Sequence, residues 1–132
     1  MLKLQILATL LIALLLMGCA TKSPDLQGSW RLVSSGGQNL EQPTNIKSIT
    51  ETHFAFGMQT PQGPFGGGGT WQLIENTYTE HVEWHSHGVL VGKDVDFDCR
   101  VEGDMWFHSA DFVADGERYH IDEVWERVRL VD

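Results

Sequence analysis

Beyond residue 18 the apolar positions of this chain tend to recur at every second residue, and no stretch shows a convincing helical period. A first strand covers residues 29–35, just after Gly28, with Trp30 near its start. Gly36-Gly37 breaks it, and a polar loop runs from Gln38 to Lys47 through Pro43. Ile46 to Thr50 starts a second strand, which bends at Glu51-Thr52 and continues from His53 to Met58. Phe54, Phe56 and Met58 share one face of it. Thr70 to Glu75 is a third strand, Asn76 a turn, and Thr77 to His85 a fourth. Val95 to Val101, Met105 to Ser109 and a last strand from Glu117 to about Arg129 follow, with turns at Glu102-Gly103-Asp104 and Ala114-Asp115-Gly116. Strands joined by short turns predict an all-β antiparallel meander, and about eight of them close a small up-and-down barrel.

The segment Gln59 to Gly69 breaks the alternation. Pro61, Pro64 and the glycine run Gly66 to Gly69 suit no strand interior, so this segment reads as a long mobile hairpin loop. It is either a flap over a cavity mouth or a plain connection. It is not a phosphate-binding loop, because no Gly-Lys-Ser/Thr and no helical pattern follow it.

Residues 1–18 carry one positive charge, Lys3, ahead of an apolar run from Ile6 to Met17. The run is short for a membrane span and fits a signal-peptide core. Its end, Leu16-Met17-Gly18-Cys19, resembles the bacterial lipoprotein signal. That resemblance implies cleavage before Cys19 and lipidation of Cys19. Ala20 stands where an inner-membrane retention signal would place Asp, which implies an outer-membrane anchor with the domain facing the periplasm. The chain thus divides into a leader (1–18), a lipidated Cys and tether (19–27) and a barrel (28–132). With Cys19 acylated, Cys99 has no intramolecular disulfide partner; it shares parity with Val95, Phe97 and Val101 and reads as a small buried hydrophobe.

Charge narrows the partners. Eighteen acidic residues against nine basic ones give a formal net charge of −9, which repels a phosphate backbone and excludes a nucleic-acid binder. The 132 residues suffice for one domain, and 42% hydrophobic content is too apolar for a disordered tail.

Taken together, Gly28-Ser29-Trp30, Ile49-Thr50 with His53-Phe54, Gly68-Gly69-Thr70-Trp71, Tyr78-Thr79-Glu80, Gly103-Asp104-Met105-Trp106 and Trp125-Glu126-Arg127 resemble the lipocalin-like, or calycin, barrels. The likeness is to their small bacterial members. It implies a closed barrel that binds or carries a small hydrophobic or amphipathic molecule. Gly28, Trp30 and Arg127 are the structural set: the indole plugs one end and the guanidinium lies across it, with Arg129 as the alternative.

The fourth strand carries the candidate chemistry. Tyr78, Glu80, Val82 and Trp84 fall on one face, and that face is the more apolar. It is expected to line the interior, so Glu80 needs a partner, a proton or a ligand there. The expected ligand site is Tyr78 and Glu80 within walls of Phe54, Phe56, Trp84 and Trp106. The opposite face offers His81, Glu83 and His85 as a weaker metal-binding alternative, with His108 or His120 as further ligands. A module with a fully packed core is the third possibility. No nucleophile or metalloprotease motif is present, so the chain reads as a non-enzyme that needs no cofactor.

Overall fold

The structure, a computed structural model, describes residues 23–42 and 44–131. The leader and Cys19 lie outside these residues. The strands are β1 (Gly28–Ser35), β2 (Gln38–Asn39), β3 (Ile46–Ile49), β4 (His53–Thr60), β5 (Gly63–Ile74), β6 (Thr77–His85), β7 (Asp94–Glu102), β8 (Met105–Ala114) and β9 (Glu117–Arg127). A 3₁₀ turn, Gly88–Leu90, follows β6. The short β2 only extends β1 as a hairpin, through Ser34↔Asn39 and Ser35↔Gln38. The other eight strands pair antiparallel in chain order, and β9 returns to β1 with Trp30 opposite Arg127 and Leu32 opposite Trp125. The result is a closed, eight-stranded, up-and-down barrel of calycin-like architecture.

Alternation decides which side chains fill it. Trp30, Ile49, Phe54, Tyr78, Phe97, Trp106 and Trp125 are all buried and form one apolar core. One end of the barrel is sealed. Trp30 donates its indole N–H to the Leu26 carbonyl (2.8 Å), and Arg127 lies over the Trp30 ring at 4.2 Å. The Arg127 guanidinium also donates to the carbonyls of Asp25 (2.7 Å) and Gln27 (2.8 Å), which straps the tether across the plug. Gly28 takes φ +126°, and a Cβ there would stand 3.1 Å from Arg127 Nη1. The conformation and the close approach both call for glycine.

The glycine-rich segment is strand, which corrects the loop expectation. β5 begins at Gly63 and runs unbroken to Ile74, pairing with β4 from Thr60↔Gly63 to His53↔Thr70. Gly66 to Gly69 are buried, and the space that their side chains would take is occupied by backbone at Gly66 and Gly69 and by aromatic side chains at Gly67 and Gly68. A Cβ at inward-facing Gly67 would meet Phe56 Cε1 at 2.8 Å and His85 Cδ2 at 2.6 Å. One at outward-facing Gly68 would meet Trp84 Nε1 at 2.5 Å. Aromatic rings from both flanking strands thus cover the bare backbone, and the ladder stays intact.

A bulge in β6 accompanies this packing. Gly68 pairs with Trp84 and Gly69 with Val82, so Glu83 is the extra residue. Parity reverses beyond it. Val82 is buried, Glu83 and Trp84 are exposed, and His85 turns inward.

Candidate functional site

The plugged half of the barrel is solid. Trp30, Tyr78, Trp106 and Trp125 are essentially fully buried, with Trp106 packed edge-on against Trp30 (5.4 Å) and Tyr78 (5.1 Å). Toward the other end a cavity of about 70 Å³ remains. Phe56, Val82, Leu90, Val95, Phe97, Phe112, Ile121 and Trp125 supply its apolar lining, and Asn45, Lys47, Glu80, His85, His108 and Glu123 its polar lining. Its volume holds several waters and falls well short of the roughly 300–1,000 Å³ of drug-sized sites. It therefore suits the end of a molecule more than a whole one.

A buried ion pair dominates the cavity. Lys47, on β3, donates from Nζ to Glu80 Oε1 on β6 at 2.8 Å, and both side chains are nearly inaccessible. The ammonium also sits among six aromatic rings, from Trp125 at 4.9 Å and Trp106 at 5.2 Å to Phe54 and Phe97 at 5.9 Å. Their faces attract a cation that is largely withdrawn from bulk water. Glu80 thus has the partner that its inward position demands, and Lys47 supplies it.

Two further ionisable groups complete the set. His108 is stacked on Phe97 at 3.7 Å, and its Nε2 lies 3.5 Å from Lys47 Nζ. Burial holds its pKa well below the usual histidine range, and the Lys47 charge acts in the same direction. The ring is therefore neutral, and Nε2 is the acceptor toward Lys47, which leaves Nδ1 as a buried donor with no partner among the described residues. Glu123 accepts a hydrogen bond from Trp125 Nε1 at 2.8 Å and lies 4.0 Å from His108 Nε2. Burial raises its pKa; Lys47 and the Trp125 N–H pull it back. Asn45 Oδ1 is a buried acceptor without a partner among the described residues. Burial, with the Glu80 charge behind it, keeps the Tyr78 phenol protonated far above its ordinary range.

The two shifts act on stability in opposite senses. Glu123 binds its proton more tightly in the folded chain, so its contribution is complete below the ordinary 4.5 and is lost as pH rises through the raised value. His108 refuses its proton when folded, so its contribution is complete above 6.5 and is lost as pH falls below that. Glu123→Gln is accordingly expected to raise the thermal midpoint at pH 8 and to do so less at pH 4.5. A gain independent of pH across that range would show that the carboxyl does not change its proton affinity on folding.

Of the residues expected at a ligand site, Phe56 and Glu80 line the cavity. Phe54, Tyr78 and Trp106 are buried around the Lys47 head instead of lining the open space. Trp84 is not inside: the β6 bulge turns it out, with half its surface exposed, over Gly68. The same bulge separates the metal trio. His81 faces out and contacts Asp94 Oδ1 at 2.6 Å, Glu83 faces out, and His85 faces in toward Phe56 and Phe65. His108 is interior and His120 is external, against Asp111. Among the described residues no three His, Cys, Asp or Glu side chains are grouped to hold a metal ion. Cys99 is a free, buried thiol, and burial raises its pKa.

Lys47, Asn45, Glu123 and the cavity roles of His85 and His108 escaped the sequence reading. A parity signal existed for three of them. Lys47 alternates with Ile49, His108 with Trp106, and Glu123 with Trp125, so each follows its hydrophobic neighbour inward.

The segment after β6 contributes to the cavity wall. The Gly88–Leu90 turn places Leu90, its buried residue, in the lining. Ser86 holds that segment to β5 through Ser86 N to Gly66 O (2.8 Å) and Gly66 N to Ser86 Oγ (2.9 Å). His87 Nε2 meets the Tyr119 hydroxyl of β9 at 2.8 Å. Beside it the wall is incomplete, because β7 pairs with β8 only from Asp98↔Ser109 to Glu102↔Met105.

No protein-family model matches this chain, and no curated protein matches it. Among solved structures it is similar to an uncharacterized protein from Bacteroides eggerthii, at 12% identity and a TM-score of 0.46, covering 75% of this chain and 99% of that one.

Proposed function

We propose that this protein is a lipid-anchored lipoprotein of the outer membrane whose periplasmic barrel binds a small amphipathic molecule, and that it is a binder and not an enzyme. The observation that carries the reading is the cavity: its lining combines ionic and hydrogen-bonding groups with apolar side chains, Leu90, Phe112 and Ile121 among them. Such a site suits a molecule with a polar head and an apolar tail. Its size restricts the enclosed part to a few heavy atoms. The anchor rests on the lipoprotein-like signal ending at Cys19. Anchoring of this class is firm because each buried methylene of an acyl chain contributes about 0.8 kcal/mol and several chains act together.

Titration with 1-hexanol, followed through the methyl NMR signals of Val82, Leu90 and Ile121, is expected to give saturable shifts. Val82→Phe, which fills the cavity, should remove them while the circular dichroism spectrum stays that of a barrel. Unchanged binding in Val82→Phe, or no shift in the parent protein, would remove the cargo role and leave a packed structural module. For the anchor, Cys19→Ser is expected to abolish incorporation of labelled palmitate; continued labelling would place the lipid elsewhere.

A further inference from the structure

We infer that the buried end of the ligand is a small organic cation, an alkylammonium-type head seated against Glu123. The inference rests on the reading of the barrel as a binder of amphipathic molecules and names the class of head it takes. The first ground is the inventory of charge around the cavity. Two carboxylates, Glu80 and Glu123, line it against one ammonium, Lys47. Lys47 is engaged by Glu80 at 2.8 Å. His108 is kept neutral by its burial. Among the described residues Glu123 accepts a hydrogen bond from Trp125 Nε1 and makes no direct ion pair with Lys47, whose charge acts on it from farther off. An ammonium group would give this carboxylate, whose side chain is 22% exposed, a direct counter-charge inside the cavity.

Independent of this is the orphaned oxygen of Asn45. It is an acceptor, the residue is 5% exposed, and it lines the same cavity. An incoming group satisfies it with an N–H or O–H donor, which an ammonium head supplies and a carboxylate head does not. The aromatic lining gives a third ground. Phe56, Phe97 and Trp125 line the cavity and also lie within 5.9 Å of Lys47 Nζ. These rings therefore already stabilise one ammonium, and their π systems suit a second whose charge Glu123 balances. Glu80 offsets the repulsion from Lys47.

The other classes fare worse. An anionic head would approach two carboxylates and compete with Glu80 for the one cation. A neutral apolar head would bring no donor to Asn45 Oδ1 and no counter-charge to Glu123. The net charge of −9 also draws cations toward the protein.

The test is calorimetric titration of the full protein, purified from membranes in a non-ionic detergent, with n-hexylammonium, 1-hexanol and hexanoate at pH 7. Hexylammonium is expected to bind about tenfold more tightly than either analogue, a difference that one buried charge-assisted contact supplies. Glu123→Gln should remove that preference, bringing hexylammonium to the affinity that hexanol shows for the same variant. Hexanoate binding as tightly as hexylammonium, or a preference that survives Glu123→Gln, would overturn the inference. Hexanol binding without an ammonium preference defeats the cationic head alone. Binding of none of the three defeats the cargo reading with it.

Discussion

Lys47→Ala is expected to cost about 3–5 kcal/mol of folding stability, because it leaves the Glu80 carboxylate buried without its counter-charge. That is a large part of the roughly 5–15 kcal/mol that holds a domain of this size together. The loss has two sources. Glu80 is 6% exposed and therefore poorly solvated, and the six rings around the ammonium lose the group that they enclose. The diagnostic experiment is a urea series on Lys47→Ala, Glu80→Gln and the double variant Lys47→Met/Glu80→Met. The double variant should recover most of what Lys47→Ala loses, since a buried pair replaced by apolar side chains of similar size is often neutral or stabilising. A loss below about 1 kcal/mol in Lys47→Ala would show that water reaches Glu80 and that the pair behaves as a surface one.

Gly69→Ala is the second large effect. A Cβ at this position would overlap the His81 carbonyl and stand 2.9 Å from the Glu83 nitrogen. Both obstacles are backbone, so no rotamer change relieves them. The expected cost is above the ~1–3 kcal/mol usual for an overpacked core, with the β6 bulge displaced. Gly57→Ala is the control. Its Cβ would find only Phe65 O, at 3.9 Å, and alanine there should be neutral or stabilising by up to about 1 kcal/mol. Thermal melts of the two variants decide the matter. Equal midpoints would mean that the β5 glycines are tolerated spacers and not packing positions.

These two variants also mark where sequence reasoning stops. Period-two alternation was enough to place most of the strands, because a strand buried on one face repeats its apolar residues at that interval whatever its neighbours are. The plug was legible for a related reason: Trp30 and Arg127 stand at the start of the first strand and the end of the last, which a closed meander must bring together. The glycine run was not legible. Its strand character comes from Phe56, His85 and Trp84 on neighbouring strands, which fill the space that the glycines leave. Trp84 and His85 were placed on the wrong faces because parity reverses at a bulge, and a bulge is a property of the pairing between β5 and β6.

The chain by itself determined an all-β meander, the inward positions of Glu80 and its aromatic neighbours, and the need of that carboxylate for a partner. Those follow from local alternation and from the cost of burying charge. Only the tertiary structure decided that the partner is Lys47, thirty-three residues away, and that His108 and Glu123 share its cavity. The physical reason is that barrel closure sets which strands face each other across the interior, and electrostatics at that range depends on distance through space, not on separation along the chain.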